Sequence, residues 1–383
     1  MRTKDKLIDF VQGSKVVYSL YYNVFSFLIN VLKQIVKPDD RLILFVSYGG
    51  RHFNDSPRCL YESMIKDERF KEYIFVWAFR NPKSFPEVKD KIKIDSFAYF
   101  VTALKARCWI TNVHIERGLD FKGKNTFYFN TTHTMLPKLT GDLINKEVTF
   151  YCKAKPKCDC YSVQCEFEKE IFGEEKDKVK VVGYPKSDFL ANYSESERQK
   201  FRKVLNLPDN KKVILYAPTF REDSPSQMTC PVDFKKWESL LGNDYIVLFR
   251  AHPVVANNTK IDSSTGFVFD VSSYSDNNVL MIASDILISD YSGIFFEFGI
   301  QNKPMYCFAY DYDEYTKLRG LYFDVREELP GGYLKEDQLL DFIKNGDREE
   351  VLKKVEVFRD KYIQVYGHAT DTCLDIIYQN IKK

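Results

Sequence analysis

The sequence predicts an α/β protein: two domains, each a parallel sheet covered by helices, facing one another across a central cleft and preceded by an amphipathic helix. Three observations carry that expectation. The chain has 383 residues, more than one typical core serves, so two domains are the default. Short apolar runs with polar ends alternate with helical stretches, the pattern of parallel strands joined by covering helices. That series occurs twice, with a helical connector between.

The first element lies in residues 1–38. Polar residues fall at Lys15, Ser19, Asn23, Ser26, Asn30, Lys33 and Lys37, in steps of 4, 4, 3, 4, 3 and 4. This is one narrow polar stripe on a helix that is otherwise Val, Leu, Tyr, Phe and Ile. Pro38 stops it. The uncharged stretch Val16 to Leu32 is barely long enough to span a bilayer, and its Asn and Ser content disfavours a span. Two readings stand side by side: a helix lying in the membrane interface, or one buried against the protein.

Residues 39–190 form the first domain. RLILFVSYGG reads as a buried strand ending in a glycine turn. In FNDSPRCLYESM, Ser56 is the expected N-cap and Pro57 suits the first helical position. Further strands are YIFVWAF, CWITN, NTFYFN and VKVVGYP. SDFLANYSESERQKFRKVLNL is the inter-domain connection. The second domain, 205–350, repeats the alternation with KKVILYAPTF, DYIVLFRAHP, GFVFDV, DILISDYSG and KPMYCFAYD, and helices are expected over 351–383. Both domains are therefore Rossmann-like.

Composition limits the function classes. A hydrophobic fraction of 44% with 29% charged residues describes an ordinary globular chain. A net charge of +2 argues against bulk electrostatic binding to nucleic acid. There are nine cysteines, and MRTKDKLIDFVQG lacks an apolar core and a small-residue cleavage site, so reduced thiols in the cytoplasm are expected. Cys152, Cys158, Cys160 and Cys165 cluster, but with gaps of five, one and four residues. Zinc pairs prefer two to four, and CDCYSV alternates like a strand, so no metal site is expected.

In open α/β sheets ligands bind beyond the carboxyl ends of the strands. In the second domain those ends supply Thr219 and Arg221, then Arg250 and His252, then Asp290, Ser292 and Gly293. A helix starting near Gly293 offers unpaired N–H groups and a positive dipole end, suited to phosphate. The alternative is that Asp290 or Ser292 only caps that helix. Glu297, in the apolar run IFFEFG, either accepts from a ribose or sits at an exposed helix position. In the first domain the notable strand end is YFNTTHTMLPKLTG, with His133 and Lys138. A histidine can act as a general base near neutral pH.

With those residues in view, the chain resembles the CDP-glycerol glycerophosphotransferase family, whose members build teichoic acids and related phosphate-linked capsule polymers. The resemblance runs from about Leu44 to the C-terminus. SYGGRHFNDSPRCLYESM resembles the family's first loop and helix, and GYPKSDFL its G-x-P-R-x-D element. YFNTTHTMLPKLTG resembles the segment written N-T-W-H-G-T-P-L-K, with Thr132-His133-Thr134 standing in place of W-H-G. YAPTFRED, FRAHP, ISDYSGIFFEFGIQNKPMYCFAYDYDEY and LRGLYFD match further signatures.

The resemblance implies a GT-B fold and a membrane-associated enzyme with no essential metal or other cofactor. It implies His133 as catalytic base, His252 as a second essential histidine, and the Ser292 region as the nucleotide-diphosphate site. The expected reaction moves a polyol phosphate from CDP-glycerol or CDP-ribitol to a lipid-linked or polymer acceptor at the cytoplasmic face of the membrane, with CMP leaving. Thr219, Arg221, Arg250, Asp290, Ser292, Gly293 and Glu297 form the donor side, and Ser56, Asn112 and Lys138 the acceptor side. Two other readings are a glycosyltransferase of the same fold using a nucleotide sugar, and an inactive scaffold for capsule assembly.

Overall fold

The computed structural model describes residues 10, 13–133, 137, 156–219, 221, 231–251, 261–274 and 276–382. The chain divides into two compact units. The first comprises Met1–His133, Lys146–Asp188 and His368–Lys383, and the second Thr134–Asn145 and Phe189–Gly367.

The first unit is built on a seven-stranded sheet: β1 (Asp39–Val46), β2 (Ile74–Phe79), β3 (Lys91–Lys93), β4 (Ala106–Thr111), β5 (Phe127–Asn130), β6 (Cys160–Val163) and β7 (Val179–Val181). The order is β3-β2-β1-β4-β5-β6-β7, and every pairing is parallel. Both faces are covered, so alternate residues enter different cores. Leu42, Leu44 and Val46 pack on one side with Trp109 and Tyr128. Ile43 and Phe45 pack on the other with Trp77, Phe79 and Ile110. The three-residue edge strand β3 escaped the sequence reading because KIK carries no apolar run. Cys158 and Cys160 fill these two cores, and the Cys165 thiol accepts from Glu168 N at 3.4 Å. Cys152 lies outside the described residues.

The second unit carries β8 (Lys212–Tyr216), β9 (Tyr245–Phe249), β10 (Val268–Asp270), β11 (Ile286–Ser289) and β12 (Met305–Cys307). Its order is β10-β9-β8-β11-β12, again all parallel. The connector holds helices Asp188–Asn192 and Glu195–Val204, and the latter opens with a capping box between Ser194 and Glu197. The C-terminal helices belong to different units. Arg348–Tyr362 packs in the second, with Phe358 and Tyr362 against Phe296. Ala369–Ile381 returns to the first, burying Cys373, Leu374, Ile377 and Ile381 in its core. Asp188 fastens that return by accepting from Ala369 N at 2.8 Å and Thr370 N at 2.7 Å.

The N-terminal helix runs Lys15–Ile35. It is neither buried all round nor free. Tyr18 and Ile29 are buried, and Tyr21, Tyr22, Leu32 and Val36 pack against the core that includes Leu119 and Phe121. The Tyr18 hydroxyl donates to Gly118 O at 2.8 Å, and Lys33 Nζ, from the polar stripe, to Lys122 O at 2.9 Å. The opposite sector leaves Val16, Leu20, Val24, Phe27, Leu28, Val31 and Ile35 exposed. By length and composition alone the helix could cross a membrane, but its docked face is committed to protein.

Candidate active site

Strand order reverses in the first sheet between β1 and β4, and ligands in such sheets bind at the carboxyl ends of the strands there. After β1 the chain passes through Tyr48, Gly49 and Gly50 at φ of +45°, +60° and +77°. A side chain at Gly50 would be strained by the positive φ, and its Cβ would crowd Ala78 O at 3.0 Å and Arg80 N at 3.1 Å. Tyr48 N donates to Asn112 Oδ1 at 2.9 Å, which ties the ends of β1 and β4 together. Asn112 Nδ2 is buried with no hydrogen-bond partner among the described residues.

The end of β5 brings His133 to the same place. Its Nδ1 lies 3.3 Å from Asn112 O. A carbonyl only accepts, so this contact favours the neutral tautomer with its proton on Nδ1 and its lone pair on Nε2. The Tyr48 ring meets the His133 ring edge-on, with centroids 5.8 Å apart. Burial holds the pKa of His114 below the ordinary histidine value against the pull of Glu116, and the nearby His133 lowers it further.

Ser56 does not cap its helix. The helix Asp55–Met64 starts earlier, with Asn54 as N-cap, because Asp55 turns at φ +64° and takes Ser56 N on its own carboxylate at 2.7 Å. Ser56 is wholly buried, and its hydroxyl accepts from Lys186 N at 3.4 Å. Lys186 was not among the sequence candidates. Its ammonium donates to His133 O and lies 3.2 Å from the Asp55 carboxylate. The GYPKSDFL element signalled it, but only the folded chain shows that the Lys186 side chain, on the turn after β7, reaches past β6 to the end of β5.

In the second sheet the order reverses between β8 and β11. The turn after β11 answers the turn after β8: Asp290 Oδ1 accepts from Thr219 N at 2.8 Å and from Tyr291 N at 2.7 Å. Arg221 Nη2 donates to Asp290 Oδ2 at 2.8 Å, and its Nε and Nη2 reach Asp311 at 2.7 and 3.0 Å. The guanidinium also faces the rings of Tyr291, Tyr310 and Tyr315. Two carboxylates thus offset the Arg221 charge, so Arg221 and Asp290 brace the turn where the sequence suggested ligand contacts. Asp311 stands at the N-cap position of the helix Tyr312–Arg319, makes no side-chain cap there, and serves this brace.

Arg250 is different. Its Nη1 donates to Val271 O at 3.1 Å and Tyr274 O at 2.7 Å. Among the described residues no carboxylate pairs with it, and burial pushes its pKa down. A half-buried cation with no ion pair among the described residues, felt by Asp276 only at a distance, suits an anionic ligand at a strand end. Thr219 Oγ1 is buried without a partner among the described residues.

Gly293 stands at φ −64°, which any residue adopts, so the missing side chain rather than the backbone angle distinguishes it. The helix it opens, Ile294–Phe298, has five residues, too short for a sizeable macrodipole; it offers first-turn N–H groups. The Ser292 hydroxyl accepts from Ile294 N at 3.3 Å, a partial cap. Glu297 is 9% exposed, which removes the exposed-position alternative. His252 and Lys138 lie outside the described residues, and no group able to hold a metal occurs among the described ones.

Comparison with known proteins agrees with both sheets. Solved structures of the wall teichoic acid polymerase TagF, including a histidine variant soaked with CDPG, match all of this chain and 99% of theirs, at TM-score 0.81 and 28% identity. UDP-GlcNAc 2-epimerase from Neisseria meningitidis shares the fold at TM-score 0.53 and 14% identity, covering 88% of this chain and all of that one. Mixed α/β units with parallel sheets and an N-terminal apolar helix are thus the parts of the expected GT-B-like fold.

Among curated relatives, the teichoic acid poly(glycerol phosphate) polymerase of Staphylococcus epidermidis is 33% identical over 91% of this chain, which spans about half (52%) of that protein. The teichoic acid glycerol-phosphate transferase of Staphylococcus aureus is 29% identical over 89% of this chain and 94% of its own length. The family model for CDP-Glycerol:Poly(glycerophosphate) glycerophosphotransferase matches residues 28–379, and the chain belongs to that family.

Proposed function

We propose that this chain transfers a polyol phosphate, glycerol phosphate in the first instance, from a CDP-polyol to a hydroxyl of a lipid-linked or polymer acceptor in teichoic acid or capsule synthesis. The observation that carries this reading is the contact of His133 Nδ1 with the Asn112 carbonyl at 3.3 Å, which puts the lone pair of the neutral ring on Nε2. The acceptor O–H gives its proton to Nε2. Its oxygen bonds to the phosphorus that carries the polyol, the bond from that phosphorus to the CMP oxygen breaks, and CMP leaves with the electron pair. General-base assistance of this kind contributes about 10²–10⁴-fold.

Arg250 is the donor-side cation best suited to the pyrophosphate, with Thr219 Oγ1 and the N–H groups following Ser292 and Gly293 beside it. Glu297 is assigned to the ribose. His252, by motif, joins this set as a second donor-side group. Arg221 and Asp290 keep the turn in shape. On the acceptor side Asn112 orients His133, Ser56 supports the loop beneath it, and Lys138 meets the acceptor. The exposed apolar sector of the N-terminal helix holds the enzyme on the cytoplasmic membrane surface, close to a lipid-borne acceptor.

The test is CMP release from CDP-glycerol and CDP-ribitol, with an acceptor present and UDP-sugars as controls. We expect CMP from one CDP-polyol, a loss of about 10²–10⁴-fold in His133→Ala, and a raised donor KM in Arg250→Gln. UDP from a sugar donor with no CMP from either polyol would place the chain among glycosyltransferases.

A further inference from the structure

Three of the non-glycine residues at positive φ, Tyr48 (+45°), Asp55 (+64°) and Thr132 (+48°), stand around one histidine. Side chains rarely adopt this backbone region, and such residues persist only where neighbours over-determine them. Here the over-determination is visible. Lys186 Nζ donates to His133 O and lies 3.2 Å from Asp55 Oδ2, with both side chains largely buried. The Tyr48 hydroxyl donates to the same Asp55 oxygen at 2.8 Å, and the Tyr48 ring abuts the His133 ring. Thr132 is pinned from both ends, its N–H on Asn130 Oδ1 at 2.8 Å and its hydroxyl on Ser162 O at 3.0 Å. The lysine arrives on a turn that Gly183 opens at φ +84°.

We infer that Lys186 and Asp55 are positioning residues for His133: a buried ammonium–carboxylate clamp that joins the ends of β1, β5 and β7 and sets the direction of the imidazole. An ammonium is suited to this, because one compact cation carries three donors and serves a carboxylate and a carbonyl together. A neutral side chain of equal length fills the space and makes neither bond. The clamp touches no reacting atom. It acts on geometry, and misplacement by about 1 Å lowers turnover by about 10²-fold. The inference rests on the reading of His133 as base, but its physical content, a fixed ring, is measured without turnover.

The experiment uses the full chain with Lys186→Met and Asp55→Asn, beside wild type and His133→Ala. The first readout is the His133 ring signal in histidine-labelled protein by NMR, assigned by its loss in His133→Ala. We expect that signal to shift or broaden in both clamp variants while the fold persists. The second readout is CMP release: kcat falls by about 10²-fold and the KM for CDP-glycerol is unchanged, because the donor contacts are elsewhere. Lys186→Arg, which keeps a cation, restores most of the turnover. An unmoved His133 signal in a folded Lys186→Met or Asp55→Asn protein overturns the clamp, as does full kcat in either. Should wild type release no CMP, the proposed reaction fails, and the ring signal still decides the clamp.

Discussion

Glu168 has no polar surface to spare: it is 6% exposed, takes the Tyr184 hydroxyl on one oxygen, and takes Gln164 N on the other at 3.0 Å. Burial pushes its carboxyl up to about 7, against the downward pull of Gln164 N, Tyr184 and Lys186. The folded-state value lies above the ordinary 4.5, so between these limits the native state holds a proton that the unfolded chain has released. Its contribution is therefore complete below pH 4.5 and is lost as pH rises through 7, a difference of roughly 3 kcal/mol. Glu168→Gln stays neutral throughout and keeps an acceptor. Urea midpoints of wild type and Glu168→Gln should be close at pH 4.5 and separate towards pH 8, with the variant the more stable there. Parallel pH profiles would show that Glu168 ionises as freely in the fold as in the unfolded chain. Two residues beyond Tyr184 lies Lys186, so the carboxyl sits behind the segment that reaches His133.

At the scale of elements, the N-terminal helix has three sectors rather than two. The polar stripe was legible because its steps of three and four residues follow the helix period. The docked sector was not, because Tyr18, Tyr21 and Tyr22 look like any apolar face until the loop that offers Gly118 O is folded beside them. The exposed sector remains, and it makes a prediction. Leu20 and Phe27 are 65% and 68% exposed, so Leu20→Glu and Phe27→Glu together should leave the thermal midpoint unchanged and abolish sedimentation with anionic lipid vesicles. Retained sedimentation would move the membrane contact elsewhere. Strands were legible from a different signal: β1, β8 and β11 are continuous apolar runs with polar ends. What the runs could not reveal was adjacency. Asp55, Asp311 and Lys186 became site residues only through strand order and backbone angles, and neither is encoded in local pattern. Arg221 and Arg250 look alike as strand-end arginines; only the two carboxylates around the first separate a brace from a candidate anion ligand.

At the scale of the molecule, each unit has its own sheet, its own reversal of strand order and its own set of strand-end groups. The first unit is assembled from three stretches of chain, closed by the helix Ala369–Ile381, so nearly the whole sequence must be made before that unit is complete. The groups suited to anions and those suited to base catalysis are divided between the units: Arg250, Thr219 and the Ser292 turn in one, His133, Asn112 and Lys186 in the other. If that division reflects donor and acceptor, a donor alone should stabilise only its own unit. Hydrogen exchange with CDP-glycerol bound should then slow at 217–221, 249–251 and 289–298, where backbone N–H groups meet the pyrophosphate or support those that do. It should leave 47–56 and 111–133 unchanged, since bound ligand protects the local structure it contacts. The Arg250→Gln protein should show the same pattern at a higher donor concentration. Protection confined to 47–56 and 111–133 would exchange the two roles, and would place the pyrophosphate beside the glycines after β1.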